Sequence, residues 1–246
     1  MRVFYGLIIT AVILMIGACA LKAYKKEGAL ARVVFLYELG AFICGIIFLV
    51  YTYVPGTTIT VLCKGLIMAS FDWLLVLLMY YTQYYTGMFK GVVGVKVFMI
   101  AYSLLETVAF LINAWTRWIF DITDISDNQI IVQFAKGNVL GRLHYVFAYG
   151  IMLLLILSYL VMVKRMSRFY RFRYFAILIL LFAAFSLDIM TTWSDSIYDM
   201  SMVAFGIMSV LIYYLTYRYV PNELIENTFS LIIRDMNSGI ICFDNA

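Results

Sequence analysis

The sequence predicts an all-α integral membrane protein: a bundle of seven transmembrane helices, with the N-terminus outside the cell and the C-terminus in the cytoplasm. Of its 246 residues, 65% are hydrophobic and 13% are charged, whereas soluble domains carry about 45–50% apolar and about 25% charged residues. The apolar residues form contiguous runs, unlike the short alternating strands of a membrane β-barrel. Lysines and arginines are also divided unevenly between the connections. We expect membrane lipid as a partner, and not nucleic acid, because no extensive basic surface is encoded.

Seven apolar runs are long enough to cross a bilayer, which takes ~20 mostly apolar residues. The predicted spans are 3–22, 34–54, 62–84, 94–115, 143–163, 174–193 and 200–219. Within the first run, Ile16-Gly17-Ala18-Cys19 also resembles a lipoprotein cleavage box. Cleavage there would place Lys25 and Lys26 outside, and the run is long for a signal peptide. We therefore interpret it as a genuine span.

The basic residues set the orientation, because lysine and arginine concentrate on the cytoplasmic side of short loops. One side holds 13 of the 18, among them the group from Lys164 to Arg173. The remaining five are Arg2, Lys64, Arg117, Lys136 and Arg142. The predicted topology is therefore N-out and C-in.

The fourth connection, about residues 116–142, is the only sizeable one on the outer side. A β-branched run at 129–134, a Gly137-Asn138 turn and then Val139-Leu140 predict a small extracellular hairpin between helices 4 and 5. Three aspartates precede it at spacings of three. A calcium site is conceivable, but such loops use closer ligands and a glycine bend, so we favour a solvated acidic face: Asp121, Asp124 and Asp127.

After the last span the sequence changes character. Pro221 fits the first turn of a new helix, and apolar residues then recur at spacings of 4, 3 and 4, as in a short a/d seam. The run from Ile240 to Phe243 looks like the start of a β-strand, which cannot stand alone. We expect a seven-helix domain at 1–220, a linker helix at 221–238 and the start of a further domain at 239–246. The predicted relay residues are Pro221, Ile225, Phe229, Ile232 and Met236.

Several short motifs point to one family. They are Tyr85-Thr86-Gly87 after the third helix, Gly141-Arg142-Leu143-His144-Tyr145-Val146 at the start of the fifth, Arg218-Tyr219-Val220-Pro221, and the Asp235–Asp244 segment. With them, nearly the whole chain resembles the N-terminal seven-helix sensor region of bacterial histidine kinases and diguanylate cyclases. The resemblance implies a PAS domain from about residue 239, a kinase or cyclase output, a place in the bacterial cytoplasmic membrane, and a homodimer through the linker helix.

Ionisable residues inside spans cost about 2.5–3.5 kcal/mol each on insertion scales, so each is a functional hypothesis. Counting along the helices places Asp72, Glu106 and Asp188 at similar depths, slightly beyond the bilayer middle. We expect them to line an outward-opening pocket for an unidentified small-molecule ligand. A second interpretation is that these groups only satisfy one another. The expected rim residues are Trp73, Trp115, Trp193, Lys64 and His144.

The remaining residues and motifs give less support to other functional classes. Glu38 is expected near the cytoplasmic face, snorkelling or paired with Arg32. No catalytic or phosphate-binding motif is encoded, and no metal-type spacing, so we expect no enzyme activity in these residues, no cofactor and no metal. A transporter using the carboxylates as a proton or cation path is an alternative, though no internal repeat supports it. A purely structural anchor is the third possibility.

Overall fold

The computed structural model describes residues 2–54, 56–89, 91–126, 129–135, 137–166, 168–194 and 200–218. The predicted linker helix, the start of the further domain and all five predicted relay residues lie outside this part. Within it, seven helices and two strands follow in order. They are α1 (Arg2–Tyr24), α2 (Ala29–Tyr53), α3 (Thr57–Thr86), α4 (Val93–Thr116), β1 (Phe120–Ser126), β2 (Gln129–Phe134), α5 (Val139–Arg165), α6 (Arg168–Ser194) and α7 (Ser201–Tyr217).

Six of these helices, α1 to α6, are long and apolar enough to cross a membrane. The seventh, α7, is apolar but has 17 residues. Large apolar side chains point away from the bundle on several helices, as Phe4, Leu105 and Phe182 do, each more than 60% exposed. Such outward apolar faces suit a lipid environment and not water. The prediction of a helical, multi-pass membrane protein is therefore confirmed.

The helices close into a ring in which α3 joins the first helices to the last ones. Successive helices from α1 to α4 are neighbours, and so are α5, α6 and α7, while α7 closes the ring against α1 and α2. Helix α3 contacts α2, α4 and α5 and is the most buried of the six long helices. Close packing needs small residues, as at Gly45 of α2, where a Cβ would lie 2.5 Å from Cγ1 of Ile13. Helix α4 packs mainly on α3 and is more peripheral.

Local signals explain where several helices begin and end. Helix α3 ends at Thr86 because Gly87 adopts a left-handed conformation, with φ of 77° and its N–H bonded to the carbonyl of Gln83. Helix α1 runs unbroken through Gly17 and Cys19, the site of the alternative cleavage box. Each helix matches a predicted span in order along the chain.

The β-hairpin between α4 and α5 pairs a different strand with β2 from the predicted one. Strand β2 coincides with the predicted run, but its antiparallel partner is β1, which precedes it, with Phe120 opposite Phe134 and Ser126 opposite Gln129. The expected turn at Gly137-Asn138 instead starts α5. Asn138 is the N-cap, and its Oδ1 accepts the N–H groups of Leu140 and Gly141 at 2.9 and 3.3 Å.

Candidate functional site

The structure gathers three ionisable side chains from three helices. Asp72 of α3, Glu106 of α4 and His144 of α5 are each at most 4% exposed. His144 Nδ1 lies 3.3 Å from Asp72 Oδ2 and 3.1 Å from Glu106 Oε1. One potential ligand atom from each residue falls within 4.8 Å of the other two. We call this group the acid–histidine cluster.

Helix packing explains why Asp72 and Glu106 meet. Gly65 precedes Asp72 by two helical turns and therefore lies on the same face of α3. A Cβ on Gly65 would lie 3.0 Å from Cβ of Phe110, so this glycine lets α4 approach closely. Phe110 in turn follows Glu106 by one turn on the same face of α4. The helix contact at Gly65 thus brings Glu106 to the depth and the side of Asp72.

The cluster has more acceptor atoms than the described protein groups satisfy. Within the described residues, Asp72 Oδ1 and Oδ2 and Glu106 Oε2 have no hydrogen-bond partner, although all are buried. Asp72 Oδ2 is within ion-pair distance of His144, but without hydrogen-bond geometry. The Ser103 hydroxyl, one turn before Glu106, is also buried and has no hydrogen-bond partner within the described residues. Buried carboxylate oxygens are costly unless they are paired, so this arrangement has room for a proton or a cation.

Aromatic rings from the hairpin and α4 lie over the histidine. The ring centroids of Phe110 and Phe134 are 5.7 and 5.8 Å from that of His144. Phe120 stacks on Phe110 and packs at a tilt against Phe134. These three phenylalanines form an aromatic cover. Gly141 lies one turn before His144 and makes room for this cover, because a Cβ on Gly141 would lie 2.6 Å from Cδ1 of Phe134. In this structure the cluster is therefore enclosed, whereas the sequence led us to expect an outward-opening pocket.

The other predicted site residues lie outside the cluster. Trp73 is half-buried and donates its Nε1–H to Thr107 Oγ1 at 3.1 Å. Lys64 on α3 and Asp188 on α6 are both half-buried. Trp115 is 76% exposed, at the end of α4. The side chain of Trp193 is not among those the structure describes.

Glu38 differs from its prediction. It neither snorkels nor pairs with Arg32, which is exposed, because Glu38 is 0% exposed inside the bundle. Its Oε2 accepts a hydrogen bond from Ser209 Oγ at 2.6 Å, which joins α2 to α7. Counting residues gave the position of Glu38 along the helix but not the direction of its side chain, and the side chain points to α7.

A second set of polar contacts, which we did not predict, lies at the other end of α3. Tyr81 and Thr216 are joined by a hydrogen bond of 3.1 Å, and so are Thr82 and Tyr159. Both threonine hydroxyls already donate to a carbonyl of their own helix, so each tyrosine is the donor. Tyr81, Tyr159 and Thr82 are completely buried. These bonds link α3 to α7 and to α5.

Two further tyrosines extend this set towards α6. Tyr85 stacks on Tyr81 at a centroid distance of 5.1 Å and packs against Tyr174 of α6 at 5.7 Å. Arg173 donates to the Tyr85 hydroxyl at 3.3 Å. We call these four tyrosines, 81, 85, 159 and 174, with their threonine partners the tyrosine network. The sequence signal for it was the aromatic end of the third helix, which does not reveal the partners.

The chain matches no protein-family model, and it matches none of the curated proteins. The geometry of the described residues therefore carries the functional argument.

Proposed function

We propose that this chain is the seven-helix sensor region of a bacterial signalling protein in the cytoplasmic membrane. It takes up a small ligand at the acid–histidine cluster and passes the change through α7 and the linker helix to a PAS domain and a kinase or cyclase output. The observation that carries the proposal is that α3 and α5 each hold one residue of the cluster and at least one tyrosine of the network that reaches α7.

Two rigid helices connect these sites. On α3, Asp72 and Tyr81 are nine residues apart, roughly 14 Å along the helix, and on α5, His144 and Tyr159 are separated by roughly 22 Å. A shift of either helix at the cluster therefore moves a buried tyrosine hydroxyl at the network. Tyr81 bonds directly to Thr216, two residues before the end of the described chain. A ligand biases such an element only through different affinities for its two positions.

Orientation is part of the proposal. The 13 basic residues on one side of the predicted spans support a cytoplasmic C-terminus by the positive-inside rule. With that topology the hairpin and the aromatic cover face the outside, and α7 enters the cytoplasm next to the linker. Cytoplasmic output and a homodimer through residues 221–238 follow from the resemblance to the sensor family.

The test uses the full-length protein in membranes, with autophosphorylation or cyclic dinucleotide formation as the readout. Asp72→Asn is expected to shift basal output by at least about fivefold, the lower end of ordinary allosteric coupling. An insertion of two residues after Glu226 is expected to change output or its regulation, because it rotates the linker helix relative to α7. If the insertion leaves both unchanged, the relay proposal is refuted.

A proton or cation path is the second candidate, because the cluster itself offers buried titratable groups. Flux into liposomes that falls in Asp72→Asn and Glu106→Gln, but not in Glu38→Gln, would favour it. If neither output nor flux responds to these changes, the helices serve only as an anchor.

A further inference from the structure

We propose that Asp72, Glu106 and His144 bind a divalent transition-metal ion, with Zn²⁺ as the best fit to their ligand set. The inference deepens the proposed function and rests on it only for the claim that the ion is the signal. Binding of the ion is a separate statement about these three side chains.

The distances fit coordination of one ion. Zn²⁺ binds imidazole nitrogen and carboxylate oxygen at about 2.0–2.2 Å in tetrahedral geometry, so two ligand atoms on one ion lie roughly 3.3–3.6 Å apart. His144 Nδ1 is 3.3 Å from Asp72 Oδ2 and 3.1 Å from Glu106 Oε1, and all three ligand atoms lie within 4.8 Å of one another. Small shifts of the side chains are enough to close them around an ion.

The charge balance favours a dication. Two carboxylates and a neutral imidazole carry a charge of −2, which a divalent ion cancels. An imidazolium alone leaves the cluster with a net negative charge, which is costly where water is excluded. The main rival is an imidazolium together with one shared proton, which is also neutral overall, and a measurement must separate the two.

The unsatisfied atoms are an independent observation, because they are buried acceptors that the described residues leave without a hydrogen-bond partner. Asp72 is 0% exposed, and neither of its carboxylate oxygens has a hydrogen-bond partner within the described residues. The second oxygen of Glu106 is also unpartnered. An ion bound through one oxygen of each acid, with a water in the fourth position, would use these acceptors directly and through that water.

The ligand types identify the class of ion. One imidazole and two carboxylates, without a thiolate, suit Zn²⁺ or Mn²⁺ better than the soft ion Cu⁺. Three protein ligands leave one coordination position for exchangeable water. Helices α3, α4 and α5 each supply one ligand, so binding would draw three helices together.

The experiment measures Zn²⁺ bound to the full-length protein in lipid nanodiscs, after removal of metal with a chelator and titration with Zn²⁺ alone. We expect about one tightly bound ion per chain in the wild type. Glu106→Gln and His144→Gln should weaken binding by at least about tenfold, since even outer-sphere changes cost 10–100-fold. The control is Glu38→Gln, which changes a buried carboxylate outside the cluster and should bind as the wild type does.

X-ray absorption of the wild-type complex keeps the test decisive if a variant fails to fold. The expected first shell is nitrogen and oxygen at about 2.0–2.2 Å, without sulfur at about 2.3 Å. Absence of tight Zn²⁺ binding, a sulfur shell from cysteine, or equal binding by the cluster variants and the wild type would each overturn the site.

Output separates this inference from the proposed function. If Zn²⁺ binds at the cluster and changes output, both stand. A second outcome is that Zn²⁺ binds at the cluster without changing output, while the insertion after Glu226 still alters output. In that case the metal site and the relay both stand, and the ion is not the signal. If the insertion has no effect, the relay fails whatever the binding result.

Discussion

Replacing Gly65 by alanine tests the helix contact that builds the cluster. The new Cβ would lie 3.0 Å from Cβ of Phe110 and 3.2 Å from its carbonyl oxygen, whereas unstrained carbon contacts are about 3.5–4.0 Å. Neither of these atoms moves out of the way by side-chain rotation, so α4 must retreat from α3. Overpacking of this kind costs about 1–3 kcal/mol.

The control is Gly150→Ala on α5, where no atom beyond the neighbouring backbone of the same helix lies within 4 Å of the new Cβ. Both substitutions gain about 0.8–1.0 kcal/mol of helix propensity, so their difference isolates the packing cost. Gly65→Ala should therefore be about 1–3 kcal/mol less stable than Gly150→Ala. Equilibrium unfolding in mixed micelles with increasing SDS, followed by circular dichroism, measures this. Free energies of unfolding that agree within about 0.5 kcal/mol, the range of neutral surface changes, would refute the argument.

Two hydrogen bonds give further predictions in the same unfolding assay. Ser209→Ala leaves the buried Oε2 of Glu38 without its donor and should lower stability by about 1–3 kcal/mol. Ser209→Thr keeps a hydroxyl and should lower stability less. Equal losses in the two variants would contradict the role of this hydrogen bond. Asn113→Ala removes the side-chain oxygen that accepts the buried N–H of Ile119 at 2.7 Å. This variant should also lose about 1–3 kcal/mol of stability. Asn113→Asp retains an acceptor, so a loss as large as that of the alanine variant would speak against this role.

The helices were predictable because the bilayer fixes their length and composition. Each predicted span is an apolar run of about 20 residues, each described helix lies over one of these runs, and six of the helices are long enough to cross a membrane. No long-range information is needed for that step. The end of α3 was also encoded locally, since Gly87 tolerates the left-handed conformation that stops the helix.

The hairpin shows where local patterns become ambiguous. The sequence predicts a strand at 129–134, but two neighbouring segments could pair with it. The residues before it alternate as Phe120-Asp121-Ile122, a period of two that also indicates a strand. Because Asn138 can serve either a turn or a helix N-cap, the local sequence did not decide, and the structure uses it as the cap.

The sequence alone determined that this is a multi-pass helical membrane protein, because apolar length is a local property. Counting the rise per residue also predicts similar depths for Asp72, Glu106 and Asp188, of which the structure brings the first two together. Only the tertiary structure decided the direction of each side chain around its helix. His144, expected at a rim, joins the two acids, and Glu38, expected near the surface, is buried against Ser209. The physical reason is that the rotation of a helix about its axis is set by the neighbours it packs against, through contacts such as Gly65 with Phe110. The position of a residue along its helix carries no information about those neighbours.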